Sequence, residues 1–227
     1  MDKNEAYYAQ EEFVRTDQTN IYTIKSKIME SWKRCSTMGL NPHKDICFNP
    51  VENWQLNKLL IENKELIEIA GPFMYRLYEI LQGSGFIIML TNPEGNILKT
   101  FGDADNMEDA RFVIGGCWQE KNVGTNSIGI VINTKEPVQV SEADHNCQKN
   151  HGWTCFAVPI FDNSNNMIGL FSLSGYSSEV HAHTMGLVVV AVEAIEQKIK
   201  IRWQNHQLCL MNKAAVLLNT SRRTIPL

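Results

Sequence analysis

Apolar residues recur with a helical period at the two ends of the chain and with strand-like runs in the middle. Residues 1–24 show neither period and read as a loose arm. A first helix is predicted from about Ile24 to Met38, stopped by Gly39 with Pro42 just beyond. The stretch 41–50 lies between two Asn-Pro steps and reads as a loop. Leu56, Leu60, Ile67, Ala70, Met74, Leu77 and Leu81 then form one apolar stripe. Pro72 inside it predicts a kink or a restart, and Gly83 and Gly85 end it. The leading helices therefore occupy 25–82.

Phe86–Leu90 and Ile97–Phe101 read as two strands joined by a Pro-Glu-Gly turn. Residues 115–135 are interrupted by glycines and helix-like, Val138–Val140 is a short strand, and 142–150 is polar with room for a short helix. Thr154–Phe161 and Met167–Leu173 form a second hairpin around Asp162–Asn166. From about His183 to Leu218 the pattern is helical again, with Val188, Val192, Ile195 and Ile199 on one stripe, and 219–227 is a tail. Antiparallel strands between terminal helices predict an α+β fold. The sheet, with its insert, lies within 83–182. The terminal helices should cover one face and the 102–150 insert the other, with a pocket under the insert.

Composition narrows the class. The chain has 227 residues, 44% of them hydrophobic, which is enough to bury a core. A net charge of −4 gives no overall electrostatic footprint for nucleic acid. The start is polar and acidic, unlike a signal peptide, and no apolar run approaches the ~18 residues a membrane span needs. Six cysteines, at 35, 47, 117, 147, 155 and 209, contain no CxxC pair. The expected setting is a cytoplasmic one with reduced thiols.

Several motifs in register carry more than periodicity can. Trp118-Gln119-Glu120-Lys121-Asn122-Val123-Gly124-Thr125-Asn126-Ser127-Ile128-Gly129 resembles the W-x-E-x-x-x-G-T-N-x-I-G signature of one GAF-domain family. Glu142-Ala143-Asp144-His145, Trp153-Thr154-Cys155, Ala157–Ile160 and Ile168–Gly175 follow in the order that family shows. Upstream, Ser31-Trp32-Lys33-Arg34-Cys35 resembles its S-W-x-R-C motif. The family is the sensor module of acetoin-catabolism and glycerol-metabolism regulators, which are sigma-54-dependent activators. The resemblance runs from about 25 to 200. It implies a central antiparallel sheet with helices behind it, a ligand pocket in front, a small organic metabolite as ligand, and no enzymatic activity. No G-x-x-x-x-G-K-[ST] loop is present, so the ATPase and DNA-binding output domains of such regulators are absent from this chain. Asp144 stands where the family commonly has Glu.

The ligand-binding candidates are Trp118, Glu120, Thr125, Asn126, His145, Trp153, Cys155 and Phe171. Each also has a structural reading: Trp118, Trp153 and Phe171 as core, Glu120 as a cap, and Thr125 and Asn126 as a helix start. The resemblance puts Cys155 on a central strand facing the pocket and His145 at its rim. Cys117, His145, Cys147, His151 and Cys155 crowd together in the sequence with soft-ligand chemistry. An alternative is therefore a haem- or transition-metal-binding redox sensor, although no cofactor is expected on the main reading. A second alternative is a thiol-dependent GAF reductase acting on methionine sulfoxide, with Cys117 or Cys155 activated by His145.

The terminal helix is longer than one small sheet can cover. Ile201, Trp203, Leu208 and Leu210 remain as surplus apolar surface, which predicts a homodimer through the terminal helices, with the 24–38 helix joining the bundle.

Overall fold

The computed structural model describes residues 3–16, 25–41, 43, 50–102, 112–181 and 183–222, with side chains described from 7 to 214 within these ranges. Helices α1 (Lys3–Thr16), α2 (Ser26–Thr37), α3 (Asn53–Glu62) and α4 (Lys64–Leu81) precede a hairpin of β1 (Ile87–Thr91) and β2 (Ile97–Phe101). Two short helices follow, α5 (Glu120–Val123) and α6 (Ser127–Thr134), then β3 (Val138–Ser141) and two 3-10 turns, Glu142–Asp144 and Gln148–Asn150. The second hairpin is β4 (Trp153–Phe161) with β5 (Met167–Tyr176), and the last helix is α7 (Thr184–Arg222). The predicted strands are all present within a few residues of their expected bounds.

The sheet is five-stranded and antiparallel, in the order β2-β1-β5-β4-β3. The period of two divides its side chains between two cores. Ile88, Leu90, Leu98, Phe156, Val158, Phe171 and Leu173 face α4 and α7, where they meet Leu66, Ile69, Met74, Val188, Val192 and Ile195. Ile87, Met89, Ile97, Val140, Cys155, Ala157 and Leu170 face the other way and pack with Trp118, Val123 and Ile128 of the insert. Terminal helices on one face and insert on the other is the predicted arrangement.

Three local expectations fail. Residues 1–24 are not wholly a loose arm: 3–16 form α1, with Ala9, Gln10 and Phe13 buried. A single turn-to-turn apolar pair is too sparse to register as a helical period. Second, the long helical stripe breaks at Asn63 and not at Pro72. The Asn63 side chain donates to Leu59 O at 2.8 Å, taking up a last-turn carbonyl of α3. Pro72 sits inside α4 on its exposed side, where solvent can satisfy the carbonyl that its missing N–H leaves free. Third, α2 does not join the α4/α7 bundle; it packs on α5 and α6, over the opposite face of the sheet.

β1 and β5 approach closely where they cross under α4. A Cβ built on Gly169 would lie 2.6 Å from Thr91 O and 2.6 Å from a Leu66 methyl. The strand carbonyl cannot retreat without breaking the ladder. Gly169→Ala is therefore expected to lower unfolding free energy by about 2 kcal/mol in urea titrations, with the far-UV circular dichroism of the folded state unchanged.

Candidate functional site

The insert is held down by α2. Its buried residues Ile28, Ser31, Trp32 and Cys35 fall at i, i+3, i+4 and i+7, one helical face, with Arg34 at its edge. Arg34 grips the Glu120 carboxylate with two donors, Nε to Oε2 at 2.7 Å and Nη2 to Oε1 at 2.8 Å. Asn133 Nδ2 adds a third contact to Oε2 at 3.2 Å. Ser31 Oγ lies 2.6 Å from Glu120 Oε1 and 2.9 Å from Thr125 Oγ1, and Cys35 Sγ lies 3.4 Å from the same Thr125 oxygen. Each hydroxyl has one proton to give. The consistent order runs from the Cys35 thiol to Thr125, from Thr125 to Ser31, and from Ser31 to the carboxylate. Burial pushes the Cys35 thiol up to about 11, which keeps it protonated as the head of this chain. The bond to Glu120 raises the Arg34 pKa above its ordinary value.

Backbone geometry shapes the rest of the cover. Gly124 has φ +74°, and a Cβ there would come within 3.0 Å of the Asn146 side chain. Asn126 caps α6: its Oδ1 accepts from Gly129 N at 2.9 Å and its Nδ2 donates to Gly124 O at 2.8 Å. Trp118 is seated by its own N–H, which donates to Gly95 O at 2.9 Å, next to the Asn96–Cys117 bridge. Beyond β3, Trp32 Nε1 donates to Asp144 O at 2.8 Å. Gln10 Nε2 donates to His145 O and Asn146 O at 3.1 and 3.0 Å. His145 Nδ1 bonds Glu142 O at 3.0 Å, and His151 Nε2 bonds His145 O at 3.1 Å. Burial pushes the His145 imidazole down to about 4, so it is neutral, and lowers His151 as well.

Between this cover and the sheet lies a buried apolar layer, the inner core, hereafter the chamber. Phe112 stacks obliquely on Trp118 at 4.6 Å and meets Trp153 edge-on at 5.9 Å. Three buried polar atoms have no ordinary hydrogen-bond partner among the described residues: Thr91 Oγ1, Trp118 Nε1 and Ser174 Oγ, the last facing the Cys155 thiol across the β4–β5 pair. All three belong to the chamber side. Thr91 pairs with Leu170 and Ser174 pairs with both Ile87 and Cys155, residues of the inner core. An unpartnered buried hydroxyl or indole N–H costs about 1–3 kcal/mol. Clefts of about 440, 740 and 610 Å³ lie elsewhere: beside α1, at the foot of α7, and outside the Arg34–Glu120 pair.

Trp118, Trp153 and Cys155 lie together in the inner core. Phe171 does not lie there. It pairs with Val158 on the helix-facing side of the sheet, one residue out of phase with Leu170 and Ser172. Glu120 and Thr125 point to α2, Asn126 is a cap, and His145 is occupied by backbone partners at the edge of the cover. Sequence reasoning missed Thr91, Phe112 and Ser174. Counting alternate positions along β1 and β5 from Cys155's face would have found the two hydroxyls.

The Cys/His constellation does not assemble. Among the described residues no three His, Cys, Asp or Glu side chains are placed to hold a metal ion. The Cys117 thiol turns to Glu94 O at 3.7 Å, while Cys155 is buried on β4. Burial pushes the Cys155 thiol up to about 12, the opposite of what a nucleophilic thiolate needs.

A five-stranded antiparallel sheet with a helical layer behind it and a helical insert in front defines an α+β sheet module. Residues 65–220 match the GAF domain family, and the chain belongs to it. The chain is 35% identical over 190 residues to the signal-transduction and transcriptional-control protein of Clostridium beijerinckii, covering 82% of this chain and 30% of that one. It is 24% identical over 204 residues to the acetoin dehydrogenase operon transcriptional activator AcoR of Bacillus subtilis, covering 88% and 34%. The chain thus spans about a third of the length of these relatives, which are transcriptional regulators and not enzymes. Among solved structures, the Escherichia coli DhaR(N)–DhaL complex contains a chain with the same fold, at TM-score 0.80 and 16% identity over 89% of this chain and 69% of that one. Among the described residues no helix is long and apolar enough to cross a membrane.

Two outcomes follow from the geometry. Arg34→Ala leaves the Glu120 carboxylate buried with only Ser31 and Asn133, and should destabilise the fold by about 2–4 kcal/mol. Arg34→Lys, which keeps the charge without the paired donors, should cost about half that in denaturant titrations. His145 is held neutral in the folded state, so the unfolded chain binds the extra proton between pH 6.5 and about 4. Its contribution is present above pH 6.5 and is lost as pH falls through that window, by up to about 3 kcal/mol. Burial raises Asp144 and works in the opposite sense. The measurement is therefore the difference in thermal stability between the wild type and His145→Asn across pH 4–7, which should narrow toward acid.

Proposed function

We propose that this domain is the ligand-sensing part of a cytoplasmic transcriptional activator of the sigma-54-dependent type. It binds a small oxygenated metabolite in the chamber and signals through α7 in a homodimer. The observation that carries this reading is the set of unpartnered polar atoms, Thr91 Oγ1, Trp118 Nε1 and Ser174 Oγ, on a wall otherwise made of Phe112, Trp153, Met89 and Leu170. Two hydroxyls, each able to donate or accept, and one indole donor suit a compact ligand with hydroxyl or carbonyl oxygens and a short hydrocarbon body. No charged side chain among those three atoms' hosts offers a counter-ion, which favours a neutral molecule. The reading needs no cofactor. The relatives' names, an acetoin operon activator and a glycerol operon regulator, agree with that chemical class.

β4 supplies a route outward. Trp153, Cys155 and Ala157 face the chamber, while the alternate residues Phe156 and Val158 pack with Val188, Val192 and Ile195 of α7. At the strand's end Phe161 N donates to Glu196 Oε1 at 2.8 Å, tying β4 to α7 directly. A ligand that shifts β4 by differential contacts worth about 1–3 kcal/mol is enough for regulatory coupling.

The test is titration of the purified chain with acetoin, vicinal diols and short hydroxyketones, followed by tryptophan fluorescence, since Trp118 and Trp153 line the chamber. Saturable binding is expected from at least one, weakened about tenfold by Ser174→Ala or Thr91→Val with no fall in melting temperature. No binding across the panel, together with no small molecule retained by protein from its native host in native mass spectrometry, overturns the reading.

A further inference from the structure

α7 carries two apolar lines, and only one of them is used by its own domain. Val188, Val192 and Ile195 are buried on the sheet, and Ile199 continues that line at the edge of the core. The next members, Trp203 and His206, overhang the cleft of about 740 Å³ formed with Leu66, Ile69, Pro93 and Met167. At 3.6 residues per turn, the second line lies on roughly the opposite side of the helix. Its members are Leu187, Val190, Ala194, Ile201, Leu208 and Met211, in successive steps of three, four, seven, seven and three. Leu187 is 36% exposed, Val190 64%, Ile201 49%, Leu208 58% and Met211 70%. These are the alternating positions of a seven-residue repeat, with Leu187, Ala194, Ile201 and Leu208 at a and Val190 and Met211 at d; the intervening d positions hold Gln197 and Gln204.

From Lys200 to Ala214 every residue of α7 is exposed. The ties of this stretch to its own domain are the exposed Arg202–Glu65 and Arg202–Glu68 pairs and the cleft edge at Trp203 and His206, and a helix end so lightly held is marginal in water. Its exposed seam demands a partner, and the flanking charges say which one. In a parallel, in-register pair the residue at g of one helix meets the residue at e, five positions on, of the other. Glu193 is at g and Lys198 at e, both are exposed, and neither has an ion pair within its own chain among the described residues. An antiparallel pair, which sets g against g and e against e, leaves these two charges apart.

We infer that α7 pairs with α7 of a second copy of this chain, parallel and in register, along the line Leu187–Val190–Ala194–Ile201–Leu208–Met211. The inference deepens the proposed function by assigning its dimer seam and orientation, and rests on that reading for its signalling role only. Because the seam lies opposite the sheet-packed line, both domain bodies sit outside the pair. Gln197 and Gln204 at d weaken the seam and fix its register, as polar core positions do.

The test uses the full chain carrying Cys209→Ser, which removes the exposed native thiol. Gln204→Cys on the seam should give a disulfide-linked dimer on mild oxidation, and His206→Cys on the cleft side should not. Glu193→Lys should raise the dimer dissociation constant about three- to tenfold, and adding Lys198→Glu in the same chain should restore it. Sedimentation as a monomer at tens of micromolar overturns the inference. So does cross-linking through residue 206 in preference to 204, or a double charge swap that fails to recover pairing. Metabolite binding, followed by tryptophan fluorescence on the same proteins, reports separately on the chamber, so an unpaired chain that still binds overturns the seam alone.

Discussion

The Glu120 carboxylate, 4% exposed and held by Arg34, Ser31 and Asn133, is the contact on which the chamber depends. A carboxylate at that depth is tolerable only with its charge matched and its lone pairs filled. Arg34 supplies the charge and two of the donors, Ser31 and Asn133 the rest. Since Arg34 and Ser31 belong to α2, which lies outside the family-matched residues 65–220, the cover cannot be read as a self-contained part of the domain. α2 is its outer wall, and α1 lies against the same cover through Gln10, Ala9 and Phe13. The same contact explains why α2 leaves the helical bundle. Its buried face is built from Ser31, Trp32 and Cys35, whose partners Glu120, Asp144 and Thr125 all sit on the insert side.

This settles what two stretches of sequence are doing. Ser31–Cys35 and Trp118–Gly129 stand far apart in the chain and look like separate signatures. In the structure they are two halves of one contact, down to the proton order from Cys35 through Thr125 and Ser31 to Glu120. Even the glycines answer to it: a Cβ on Gly129 would fall 2.7 Å from Glu120 Cγ. Residues that read as ligand contacts are therefore the frame of the chamber. Glu120 and Thr125 bind the protein to itself, while the less conspicuous Thr91 and Ser174 carry buried hydroxyls that no ordinary hydrogen bond takes up among the described residues.

The fold was legible because it is written in periods. The hairpin signals, the apolar stripe of α4 and the helical run of α7 each match an observed element, and the two-sided covering of the sheet follows from them. The site was legible only in part, because residue type and resemblance name candidates without giving the face they occupy. Trp118, Trp153 and Cys155 share the inner core. Phe171 was misplaced by one step of a period-two pattern, which transfers a side chain from one core to the other. The Cys/His crowd at 145–155 reflects proximity along the chain. In space, β4 carries Cys155 into the sheet while the 3-10 turns before it spend the polar atoms of His145 and His151 on backbone carbonyls.

Strand parity also makes the sheet a coupling element. Along β4 the odd residues face the inner core and the even ones face α7, so the strand cannot move without moving the surface on which α7 rests. Ala157 and Leu170 on one side of the sheet and Val188 and Ile195 on the other are fully buried. A packed interior transmits a small displacement as a rigid shift, with little absorbed by compression. The helix it bears on is α7, which is fixed to the sheet at one end through Val188, Val192 and Ile195, is tied to α4 by Arg202 with Glu65 and Glu68, and is exposed from Lys200 to Ala214. A tilt imposed on the first four turns is carried into the exposed ones, because a continuous helix passes rotation along its axis. The exposed end of α7 is thus reached from the inner core by one strand and one helix.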